Sequence, residues 1–148
     1  MEERQNLEQV IDSEYRIAVV DALEPDQLLA HFKRLTLTTG RAVYDWSPDH
    51  GLYRLGIEHI FIPRTRTHSD VLAYITSSRH YGIYLLRGFG DALERPAVAR
   101  MLSKFIEKSD GVRRLIMLFG DDVKIPADAL AHTVRFRYDS APRQSVSV

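Results

Sequence analysis

Gly82-Ile83-Tyr84-Leu85-Leu86-Arg87-Gly88-Phe89-Gly90 is a short apolar run bounded by glycines. Rich in aromatic and branched residues and without polar alternation, it reads as a strand buried on both faces of a parallel sheet. A helix with a one-sided apolar stripe follows. Pro96 opens it, and Val98, Met101, Leu102, Phe105 and Ile106 recur at i, i+3, i+4, i+7 and i+8. Ser109-Asp110-Gly111 ends that helix, and a second apolar run covers 115–119. Strand, helix, strand in this order is a right-handed crossover unit.

The flanking segments extend the same pattern. Residues 2–12 form an acidic lead-in with Leu7, Val10 and Ile11 at helical spacing, and 15–20 reads as the first core strand, ending at Asp21. A helix opens at Pro25 with Asp26 in its first turn, and Leu28, Leu29, Phe32 and Leu35 form its buried face. Residues 41–46 make a second strand, closed by the turn Ser47-Pro48-Asp49-His50-Gly51. The runs 52–55 and 57–62, split by Gly56, read as a small hairpin or irregular excursion. Thr67 or Ser69 can cap the next helix, on Val71, Leu72 and Ile75. Residues 126–132 look helical, 133–138 alternate as a half-exposed strand, and 139–148 form a loose polar tail. The expectation is one α/β domain over 1–148, a three-layer sandwich around a mainly parallel five-stranded sheet.

Composition narrows the chemistry. Charges balance at 20 basic and 20 acidic residues, but residues 1–30 carry eight acids against Arg4 and Arg16. The remainder is therefore net positive and mostly arginine. Arg41, Arg54, Arg64, Arg66 and Arg87 could meet nucleic acid. That reading is disfavoured, because no basic run reaches five residues and aromatics do not interleave with the arginines. With no cysteine, disulfides and thiolate chemistry are excluded. Neither a secretory signal nor an apolar run of membrane-spanning length is present, so a cytoplasmic protein is expected.

In such sheets ligands bind beyond the carboxyl ends of the strands. The residues there are 21–24, 46–50, 87–90 and 119–122, and the crevice candidates among them are Asp21, Trp46, Asp49, His50, Arg87 and Asp121. A phosphate cradle after the first strand needs glycines and a lysine. Asp21-Ala22-Leu23-Glu24-Pro25-Asp26-Gln27 has neither, and its three acids repel phosphate. Gly88 and Gly90 give a lone Gly-x-Gly, which more often marks a tight turn. The six histidines show no metal spacing. Asp45, Asp49 and His50 form the nearest oxygen-and-nitrogen cluster, although Ser-Pro-Asp-His-Gly is also a good turn in its own right. Asp121-Asp122 could hold a cation but also suits a turn. No serine lies in a Gly-x-Ser-x-Gly elbow. Trp46 reads as a half-buried aromatic at a strand end.

The order of elements resembles the degenerate N-terminal domain found in certain AAA ATPases of cyanobacteria and plastid genomes. The resemblance covers about residues 15–138. It rests on Tyr44-Asp45-Trp46-Ser47-Pro48-Asp49-His50-Gly51, on the strand at 81–86, on Pro96-Ala97-Val98-Ala99-Arg100-Met101-Leu102, and on Val123-Lys124-Ile125-Pro126 before the last strand. It implies a nucleotide-hydrolase-like sheet without a phosphate loop, with Gly88 where an active relative keeps its magnesium aspartate. It also implies no catalytic residue, no cofactor, and a protein partner, an AAA ATPase being the first candidate. The family's ATPase domain would begin near the end of this chain, so a fragment or a free-standing relative is expected.

A non-catalytic interaction or regulatory module is therefore the leading expectation. The alternatives are a small metal-dependent hydrolase or phosphotransfer enzyme using Asp45, Asp49, His50 or Asp121, and arginine-based nucleic-acid binding.

Overall fold

A computed structural model describes residues 7–22, 25–57, 60–120 and 122–138. Its elements run α1 (Leu7–Ile11), β1 (Ile17–Ala22), α2 (Pro25–Thr39), β2 (Val43–Ser47), β3 (Gly51–Arg54), β4 (Phe61–Ile62), α3 (His68–Ser77), β5 (Gly82–Leu86), α4 (Pro96–Glu107), β6 (Arg114–Phe119) and β7 (Thr133–Tyr138). Short 3-10 turns at Ala92–Glu94 and Ala127–His132 complete the chain.

The strands form one sheet in the order β4-β3-β2-β5-β6-β1-β7. From β2 to β7 every pairing is parallel; β3 and β4 add antiparallel to β2. The sheet thus has seven strands, not the five expected. The two extra ones come from the segment expected as a small hairpin or irregular excursion, which pairs as a hairpin of four and two residues on either side of the turn at Gly56. Strands so short show no usable alternation in sequence.

β5 is fourth of the seven strands, and all five of its residues are buried. Its side chains feed two cores. Ile83 and Leu85 join Ala18, Val20, Val43 and Met117 beneath Leu7, Val10, Ile11, Leu28 and Phe32 of α1 and α2. Tyr84 and Leu86 join Val19, Trp46 and Leu118 beneath α3 and α4, which contribute Leu72, Ile75, Val98, Leu102 and Phe105. Each such side chain removed from water is worth roughly 1.5–3 kcal/mol. The period-2 alternation of each strand is what divides its residues between the two helical layers. Gly82 is required by a close approach, since a Cβ there would lie 2.6 Å from the Tyr84 ring. That ring stacks on Tyr44 at 5.0 Å, and burial pushes its phenol up to about 12.

The helix ends follow their sequence signals. Thr67 caps α3, its hydroxyl accepting the Asp70 amide at 3.0 Å. Pro96 opens α4. At the amino end of the sheet, three arginines meet the last carbonyls of three helices. Arg16 donates to the carbonyls of Phe105, Ile106 and Lys108 after α4. Arg113 reaches Val10 and Ile11 at the end of α1 and the Tyr15 carbonyl. Arg114 donates from Nε to the Ser78 carbonyl after α3 at 3.0 Å, and in bidentate fashion to Asp110 at 3.0 and 2.7 Å. A cation at a helix C-terminus satisfies orphan carbonyls and opposes the helix dipole. Much of the basic excess is therefore used inside the fold.

Candidate functional site

At the carboxyl end of β1, register sets Asp21 opposite Arg137 of β7, and the two form an ion pair at 3.5 Å. A cleft of about 300 Å³ opens there, lined by Val19, Asp21, Gly120, Arg135, Phe136 and Arg137. Arg135 is occupied in turn by the Val123 carbonyl at 3.1 Å. Asp121 lies outside the described residues.

The carboxyl ends of β2 and β5 bring more groups together. Register sets Asp45 against Leu85 of β5 on one side and Tyr53 of β3 on the other, and sets Tyr53 against Phe61 of β4. Alternation puts this row on the α1–α2 face of the sheet. Asp45 is only 1% exposed, and its Oδ2 accepts a hydrogen bond from an Nη of Arg87. The His50 Nε2 lies 4.0 Å from the same oxygen. The His50 Nδ1 lies 2.6 Å from the Gly51 carbonyl, so Nδ1 carries the hydrogen and Nε2 faces the carboxylate. Burial, and next the charge of Asp45, push the Tyr53 phenol above its ordinary value.

The Asp45–Arg87 pair is monodentate. Asp45 Oδ1 and Arg87 Nε are both buried without a hydrogen-bond partner among the described residues. A guanidinium and a carboxylate can share two parallel bonds, and here only one is made. The Arg87 side chain is 37% exposed, so it can offer its spare N–H groups outward.

Beside this pair lies an aromatic shelf. His50, Tyr53 and Phe61 meet with ring centroids 5.2–5.8 Å apart. Phe61 is 46% exposed, as are its neighbours Ile57 (45%) and Ile60 (65%). Thr65 holds this edge to the core. Its hydroxyl accepts the Leu52 amide and donates to the Ile62 carbonyl, while its own carbonyl accepts the Trp46 indole N–H.

Of the crevice candidates, His50 and Arg87 are thus brought together around Asp45. Trp46 is not half-buried; it is fully buried on the opposite face, packed against His68 and Phe89 at 5.2 Å each. Its neighbour Asp45 takes the α1–α2 face, so strand alternation sends the two apart. Asp49 is exposed in the turn after β2, where the His50 amide bonds the Ser47 carbonyl at 3.3 Å. Among the described residues, no three carboxylates or imidazoles converge as metal ligands would. The arginines weighed for nucleic acid are dispersed in use: Arg41 pairs with Asp12 at 3.3 Å and Arg87 with Asp45, while Arg54 has its Nε buried. Tyr53 and Phe61 lay in the segment expected as a small hairpin or irregular excursion. Their only signal was aromatic residues flanking Gly56, which becomes informative once the segment is paired into the sheet.

No described helix is long and apolar enough to cross a membrane. A family model described as SpoVK-like AAA ATPase, N-terminal domain, matches residues 3–136. No curated protein matches the chain.

Proposed function

The chain belongs to the SpoVK-like AAA ATPase N-terminal domain family, and from that premise we propose that it is a non-catalytic interaction module that docks on and regulates an AAA ATPase. In this reading the sheet is a nucleotide-hydrolase-like core without its phosphate cradle. The observation that carries it is the end of β1. The order β2-β5-β6-β1-β7 places that strand inside the parallel sheet, where doubly wound folds bind ligands. The segment leaving it has no glycine and no lysine, and Asp21 is held in an ion pair by Arg137. Without glycine amides to converge on an anion or a lysine to reach it, that segment forms no cradle for a nucleotide phosphate.

The Asp45 cluster supports the same reading. Its one buried carboxylate is engaged by Arg87, and the hydroxyl beside it, on Tyr53, is biased toward the neutral form.

Titration calorimetry with magnesium and ATP, followed by titration with the ATPase domain of a SpoVK-like protein, tests the proposal. We expect no heat from the nucleotide, saturable binding of the ATPase domain, and a changed rate of ATP hydrolysis by that domain. Micromolar nucleotide binding, or turnover by this chain alone, would overturn it.

A further inference from the structure

We propose that the shelf formed by Tyr53, Phe61, Ile57 and Ile60, with Arg87 at its inner end and Arg64 on its rim, docks an acidic segment of a protein partner that carries apolar side chains between its carboxylates. The inference rests on the interaction reading above and gives it a surface and a partner chemistry.

Three observations converge on this edge. First, Ile57, Ile60 and Phe61 are 45%, 65% and 46% exposed and lie close together in the chain, whereas Leu37 and Leu130 are exposed singly on other elements. Grouped apolar exposure marks a contact surface; single exposed residues do not. Second, the segment after β4 offers positive charge. Arg64 and Arg66 are exposed and make no ion pair among the described residues, and the Arg66 stem lies against Gly51, beside His50. Arg64 is held at φ 59°, a region that disfavours side chains, so the turn presents it there at an energetic cost. Third, Arg87 is 37% exposed and its one hydrogen bond runs from a single Nη to the buried Asp45. Its remaining exposed Nη–H groups can donate to a partner carboxylate.

The mode of contact also follows. β4 is two residues long and is followed by Pro63, so it cannot extend a backbone ladder. The contact is therefore made by side chains on the shelf.

The test titrates the isotope-labelled chain with two synthetic peptides of identical apolar residues, one spaced by glutamate and one by lysine, and follows amide resonances. The glutamate peptide is expected to shift Tyr53, Phe61 and Arg87, and to bind about tenfold more weakly in high salt. Phe61→Ser and Arg64→Glu should each weaken it about tenfold while the chain stays folded, with a fall in melting temperature of no more than a few degrees. Equal binding of the lysine peptide, shifts confined to other elements, or displacement by a single-stranded oligonucleotide would overturn the proposal. The ATPase domain then separates this inference from the one it rests on. If that domain binds but leaves the peptide in place, the shelf is wrong and the module reading stands. If it does not bind while the peptide does, the ATPase reading falls and the shelf stands.

Discussion

The two ends of the sheet use arginine in opposite ways. At the amino end, Arg113 and Arg114 have all three side-chain nitrogens bonded to main-chain carbonyls or Asp110, and Arg16 places one nitrogen on the carbonyls that close α4. At the carboxyl end, Arg87 makes one bond to a buried carboxylate and leaves a buried N–H without a partner. A cleft of about 370 Å³ also lies at the amino end, lined by Arg16, Arg113 and Arg114. A basic cleft there looks like an anion site, yet its cations already serve the fold. Arginine count and cleft size therefore mislead, and the useful quantity is how many N–H groups remain unsatisfied.

The comparison breaks most readily at Arg87. Arg87→Met leaves Asp45 buried and uncompensated and should cost about 3 kcal/mol, at the low end for buried pairs because Arg87 is 37% exposed. Removing both charges in Asp45→Leu/Arg87→Met should recover most of that loss. Urea unfolding of the two variants measures it, and a double variant as unstable as the single one would mean the pair is not the unit. At the amino end, Arg113→Met should cost about 2 kcal/mol, because the carbonyls of Val10, Ile11 and Tyr15 lose their donor. Hydrogen exchange should localise that loss to α1.

A smaller effect appears with pH. The Arg114 hydrogen bonds, and next the Val112 amide, hold Asp110 well below the usual carboxylate range. A depressed folded-state pKa means that the ionised form stabilises the fold above the unfolded value and that this contribution is lost as pH falls toward the folded one. Asp110→Asn should lower the melting temperature modestly at neutral pH, flatten the acid limb below about pH 4, and meet the wild-type profile as pH falls further. Phe61→Ser should cost about 1 kcal/mol, the loss expected of a half-exposed ring that touches Tyr53 and His50. A large loss of stability in that variant would make the shelf part of the core.

The crossover unit was legible because its strands are buried on both faces and its helix has a single apolar stripe. Val98, Leu102 and Phe105 lie buried on that stripe. β3 and β4 were legible only as a hairpin or an irregular excursion, and their place in the sheet was not, since it comes from pairing with β2 and from the Thr65 hydrogen bonds rather than from local pattern. The site was half legible. His50 and Arg87 were picked out as strand-end residues, but their meeting at Asp45 depends on which face each residue takes. Trp46 was misjudged for the same reason: aromatic residues at strand ends are exposed or buried according to alternation, which the strand boundary sets.

β1 is synthesised long before its two neighbours, β6 and β7, with Ile17 aligned to Ile116 and Thr133. A nascent chain must therefore carry an unsealed ribbon, apolar from Ile17 to Val20, until both of those strands have been made, and only then can it close.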